Sequence, residues 1–170
     1  MSVKTKSANV ANAIRLYKSA QGMFFGFGNY KTPWNTEDNP PQPLGTETTL
    51  NELLGLVKVS NVYLARPAKS GDTNTFTYSG KTYQKVSVGS AYTEGATFVL
   101  ITVDLQSDMF PFNTYRSVGL VDSPQYSPSV TGNVIQASSL TSIGNLLTIK
   151  YVPKVDYTGY TITEQILIEN

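Results

Sequence analysis

The chain has 170 residues, about one domain at roughly 150 residues per domain. Its charge is almost balanced, with 13 Lys and Arg against 12 Asp and Glu, and it contains no Cys and no His. Those absences exclude disulfides, a thiolate nucleophile, a His/Cys zinc site and imidazole-based Ser-His-Asp or Cys-His catalysis, and a net charge of +1 gives no pull towards nucleic acid or an anionic membrane.

Charged residues make up 15% of the chain, against about 25% in typical domains. Their place is taken by Ser, Thr, Asn and 11 Tyr. Interface cores are poor in Lys, Glu and Asp and rich in aromatics, so one reading is a surface largely covered by neighbours. The other is an ordinary β-rich domain, because Thr and Tyr favour strands.

In chain order, Lys4, Lys6, Arg15 and Lys18 interrupt any apolar stretch that could act as the core of a signal peptide. No run of 18 apolar residues exists for a membrane helix. Val10, Ala13, Ile14 and Tyr17 share one helical face and predict a helix over 8–20, with Ser7 as N-cap and Gly22 as stop. That helix either packs on its own domain or forms an arm, residues 1–22, that docks on a neighbouring subunit. Residues 23–170 then read as a single β-rich domain. Met23 to Gly28 is aromatic and extended; its Gly-x-Gly lacks the third glycine and the following helix of a dinucleotide fingerprint. Residues 32–43 hold four prolines and the sole Trp, which rules out a helix interior or a central strand and predicts an ordered loop. Leu50, Leu53, Leu54 and Val57, behind Thr49-Leu50-Asn51-Glu52 as a capping box, predict a second short helix.

From there the apolar period is two. Val57, Val59 and Val62–Ala65 predict a strand stopped by Arg66-Pro67; Thr75–Tyr78 and Lys81–Val86 around Ser79-Gly80 predict a hairpin. Ala96–Val103, Leu146–Val152 and Tyr160–Ile168 predict three more strands. The expected fold class is mainly β: an antiparallel, β-sandwich-like single domain with a short N-terminal helix and a second short helix.

The motifs carry little chemistry. Ser79-Gly80-Lys81-Thr82 ends like a phosphate loop, but Thr75 stands where the first glycine belongs and the segment lies in a hairpin. Glu37 and Asp38 are adjacent, whereas a glycosidase pair faces a sugar across roughly 5–10 Å from separate elements. Asp104 and Asp108 leave a hard-cation site open without matching the calcium-loop pattern. Arg66 and Arg116, in so charge-poor a chain, predict fixed bidentate contacts, internal or with another subunit. No cofactor, nucleic acid or membrane is implied.

Three segments, Met23–Pro43, Met109–Pro124 and Tyr157–Glu169, in that order resemble structural proteins of contractile-tailed bacteriophages, in particular a baseplate wedge subunit. They carry an early aromatic-Gly strand, a Pro-Trp-x-x-(Asp/Glu)-x-x-Pro-Pro loop, an aromatic-Arg-x-Val-Gly-Leu segment and a closing apolar strand containing Glu. The resemblance implies a non-enzymatic virion subunit, made in the host cytoplasm and present in six copies or a multiple. Its partners would be other baseplate or tail subunits, with self-association open. The interface candidates are Pro33, Trp34, Glu37, Pro40, Pro41, Arg66, Phe110, Phe112, Tyr115 and Arg116. Two further readings differ in class. A carbohydrate- or receptor-binding module would stack Tyr78, Tyr83 and Tyr92 on sugars; a wall hydrolase would use acids such as Glu37, Glu94, Asp104 and Glu164.

Overall fold

A computed structural model describes residues 5–29 and 38–170. The elements run α1 (Lys6–Ala20), β1 (Phe24–Gly28), β2 (Leu53–Lys58), β3 (Asn61–Pro67), β4 (Thr75–Tyr78), β5 (Lys81–Val86), α2 (Ala91–Glu94), β6 (Phe98–Gln106), β7 (Thr114–Asp122), β8 (Gln125–Tyr126), β9 (Val134–Gln136), β10 (Leu140–Ser142), β11 (Asn145–Asp156) and β12 (Thr161–Glu169). The strand orders are β11-β7-β1-β2-β9, β10-β8 and β12-β6-β3-β5-β4. The fold class is the expected one: mainly β, with antiparallel sheets and two short helices.

The chain forms two compact units, Met1–Gln21 with Ser60–Thr102 and Gln165–Asn170, and Gly22–Val59 with Val103–Glu164. In the first, α1 packs on β3. It buries Val10, Ala13 and Ala20 and leaves Ile14 and Tyr17 half-buried, the face that the spacing marked. The N-cap is Thr5, whose hydroxyl accepts the Ala8 amide at 3.2 Å, two residues before Ser7. The hairpin of β4 and β5 pairs Tyr78 with Lys81. Ser79 and Gly80 both have positive φ, 48° and 76°, the pattern of a turn whose twist matches that of its strands. Phe76 stacks on Tyr83, ring centroids 5.5 Å apart, and Tyr83 meets Phe98 at 5.1 Å. β3 does not stop before Arg66-Pro67 but runs through them, pairing Arg66 with Gln84 and Pro67 with Tyr83.

In the second unit β1 is the central strand and is buried at every position. Side chains alternate across a strand, so Phe25 and Phe27 point one way and Gly26 and Gly28 the other. Gly26 pairs with Gly119 of β7. A Cβ on Gly26 would stand 2.5 Å from Leu50 Cδ1, and one on Gly119 would stand 2.6 Å from Leu146 Cδ1. Leu50 and Leu146 therefore occupy the space that the glycines leave. Phe24, Leu56, Val121 and Ile135 form a buried cluster, with Leu53, Val130, Leu140, Ile143 and Leu146 around it.

The expected helix over 50–57 is corrected: Leu53–Lys58 is β2, paired with β1 and β9. Spacing of i, i+3, i+4 and i+7 cannot separate a helix from a buried strand over so short an apolar run. Both faces of β2 are covered, which makes Leu54, Gly55, Leu56 and Val57 continuously buried. Pairing with β1 and β9 takes the backbone hydrogen bonds that a helix would have made internally. The second short helix is α2 instead, closed by Gly95 in the left-handed region at φ 68°.

Candidate interaction surfaces

Arg66 enters from β3 with 7% of its surface exposed. Its guanidinium donates to Asp72 through two nitrogens, at 2.7 and 3.1 Å, to Glu94 Oε2 at 2.7 Å and to the Pro67 carbonyl at 3.0 Å. The Arg66 hydrogen bond, followed by the Lys69 amide, holds the Asp72 carboxyl down at about 2. The fixed contact expected of Arg66 is thus made inside the first unit. Arg116, buried in the second, donates to the carbonyl and side-chain oxygens of Asn29 at 3.0 and 2.9 Å. It anchors the last described residue before Pro33, Trp34 and Glu37, which lie outside the described residues.

The acids of the hydrolase reading are engaged separately. Glu94 holds Arg66, Asp104 accepts the Thr163 hydroxyl at 2.7 Å, and Glu164 accepts from Tyr115 Oη and Lys150 Nζ. Burial first, and then the Glu164 charge, pushes the Tyr115 hydroxyl far above its ordinary value. Among the described residues no three acidic side chains gather in a metal-holding group. The three tyrosines of the sugar-stacking reading differ in environment: Tyr83 is buried against Phe76 and Phe98, Tyr78 is half-buried and Tyr92 is exposed.

What the second unit does present is a braced loop pair. Asp108 and Asn113 clasp each other, the Asp108 amide donating to Asn113 Oδ1 at 2.8 Å and Asn113 Nδ2 to Asp108 Oδ1 at 3.0 Å. The loop after β11 is tied to this one. Tyr157, fully buried, donates its amide to the Asn113 carbonyl at 3.0 Å and its hydroxyl to the Phe112 carbonyl at 3.2 Å. The Ser107 amide reaches the Tyr160 carbonyl, and the Gly159 amide reaches Ser107 Oγ, both at 3.1 Å. Phe112 and Tyr160 stand out from these loops, 61% and 71% exposed.

The interface candidates separate accordingly. Phe112 and Pro41 are exposed and Pro40 is half-buried. Arg66, Phe110, Tyr115 and Arg116 are buried, Phe110 and Tyr115 against Phe27 with ring centroids at 6.0 and 5.2 Å. Sequence reasoning missed Tyr160; its signal was the turn Tyr157-Thr158-Gly159, which lifts the next residue off the strand.

Virion protein 3 of Enterococcus phage phiEF24C is 30% identical to this chain over 123 residues, 71% of this chain and 67% of that protein. The class is therefore that of structural proteins of the phage particle. Within it, the chain belongs to the family described as "Baseplate wedge 3 tail fiber network component", which it matches over residues 1–169.

Proposed function

We propose that the chain is a non-enzymatic assembly subunit of a contractile-tail baseplate wedge, and that it joins neighbouring wedge or tail-fibre proteins through rigid loops. The braced pair carrying Phe112 and Tyr160 is the observation that carries this reading. Aromatic anchors held in advance lose little freedom on docking, and a central anchor contributes about 2 kcal/mol or more to an interface. In this reading Phe112, Tyr160 and Pro41 touch a partner, as do Pro33, Trp34 and Glu37. The buried Phe110, Tyr115 and Arg116 keep the second unit in shape behind its loops, and Arg66 holds the Asp72 loop of the first unit. Pro40 stiffens the approach to Pro41.

The chain should be found by mass spectrometry in purified particles at six copies or a multiple. Phage carrying F112A and Y160A together should assemble particles depleted of this subunit, while the purified double variant melts within a degree or two of the parent. Particles lacking the unmodified protein would sink the reading.

A further inference from the structure

In the second unit a hollow of about 280 Å³ is lined by Pro43, Gly45, Glu47 and residues 146–149 of β11. Gly45, at φ 78°, turns the chain there. Glu47 then folds back, its Oε1 accepting the Leu44 amide at 2.7 Å and the Tyr151 hydroxyl at 3.5 Å. These contacts use one carboxylate oxygen. The other, Oε2, and the Thr148 hydroxyl are both buried, and neither has a hydrogen-bond partner among the described residues. Buried polar atoms are almost always paired, so two unpaired ones on residues that line a single hollow leave acceptor capacity there that a donor from outside can use. The Leu44 amide holds the Glu47 carboxyl below its usual range, and it is ionised at neutral pH. Among the described residues no Lys or Arg lines the hollow; Lys150, the nearest cation along the strand, is paired with Glu164. Leu44 is 84% exposed, and Leu147, set out at a bulge of β11, is 47% exposed.

We propose that this hollow receives the guanidinium of an arginine on a neighbouring protein, with Glu47 Oε2 and Thr148 Oγ1 as its acceptors. Leu147 and Pro43, which line the hollow, then lie against the aliphatic stem of that arginine. The charge is complementary, and a planar fork serves two acceptors at once where an ammonium offers a point charge. A long basic side chain also covers apolar surface with its methylenes. Entry is accompanied by a rotation of Glu47 or Thr148 that turns the buried oxygens towards the ligand. The assembly reading names the source of the arginine; the chemistry of the hollow does not depend on it.

The test is a backbone-amide NMR titration of the full chain with N-acetyl-arginine methylamide, beside its citrulline and lysine counterparts. The arginine compound should give saturable shifts confined to residues 43–49 and 146–149, with a Kd on the order of 1 mM. Citrulline should give none, and lysine should bind several-fold more weakly. E47Q, which keeps the shape and removes the charge, should weaken binding about tenfold, and T148V should weaken it several-fold; thermal melts confirm that both variants are folded. No saturable shift at about tenfold above that concentration overturns the proposal. So does binding unchanged in E47Q, unchanged in T148V, or equal for lysine. Absence of the chain from particles would remove the assembly reading and leave this titration standing.

Discussion

Gly26 and Gly119 face each other across β1 and β7, and the space above them belongs to Leu50, which is only 2% exposed. The side-chain-free stripe on a central strand is a socket, and the leucine fills it. Gly26→Ala should therefore overpack the site and cost about 1–3 kcal/mol, read as a lowered midpoint in urea. Because the clash is with Leu50 Cδ1 at 2.5 Å, adding Leu50→Ala should recover part of that loss. A double-mutant cycle with a coupling of 0.5 kcal/mol or more would be expected for residues in contact, and strict additivity would contradict the socket. The same geometry shows what the Gly-x-Gly of residues 26–28 is for. Gly28 is as tightly enclosed: a Cβ there would meet Ser117 Oγ at 2.5 Å and the Asn51 carbonyl at 2.6 Å. These glycines admit protein, where a dinucleotide fingerprint would admit a pyrophosphate.

At the scale of elements, α1 and the hairpin of β4 and β5 were legible in the sequence because their signals are local. A helical face and a two-residue turn are each written within a few residues. The strands of the second unit were harder because their partners are remote. β2 looked helical from Leu50, Leu53, Leu54 and Val57; only its burial between β1 and β9 makes it a strand. β11 continues through Pro153, which the sequence marked as a boundary. It is an edge strand with a register shift between Tyr151 and Val155, a place where proline is tolerated. The candidate surface was half legible: the second aromatic segment singled out Phe112, which is exposed, together with Phe110 and Tyr115, whose burial no spacing reveals. The hairpin offers the sharpest element test. Ser79 carries positive φ without being glycine, and Asn adopts that region more readily than other residues. Ser79→Asn should stabilise by about 0.5 kcal/mol, whereas Ser79→Val, β-branched in a left-handed position, should cost roughly 1 kcal/mol or more. Thermal melting at neutral pH reads both.

For the molecule as a whole, the missing imidazoles and the held carboxyls together set a pH profile. No side chain of ordinary pKa titrates between about pH 5 and 8 when histidine and cysteine are absent, so stability should be flat there. Acid acts through Asp72. Its folded carboxyl sits at about 2 against an unperturbed 3.8, so the native state binds that proton later than the unfolded chain does. The stabilisation is complete above 3.8 and is lost as pH falls towards 2. Asp156, held low by the Thr158 amide, loses stabilisation in the same direction. Alkali acts through three tyrosines that burial pushes upward: Tyr157, from 10.0 to about 12, Tyr151 and, furthest, Tyr115. The native state keeps the Tyr157 proton longer, so its contribution is full below 10 and disappears as pH rises through 12. Melting temperature against pH should thus form a plateau with an acid shoulder below pH 4 and an alkaline shoulder above pH 10. Asp72→Asn should lower the plateau and shrink the acid shoulder, leaving the part due to Asp156 and Glu47; Tyr157→Phe should shrink the alkaline one, leaving the part due to Tyr115 and Tyr151. A step in melting temperature between pH 5 and 8 would contradict the scheme. Arg66, braced by Asp72, and Phe112, braced by Tyr157, would then keep these contacts across the whole of the flat range, about pH 5 to 8.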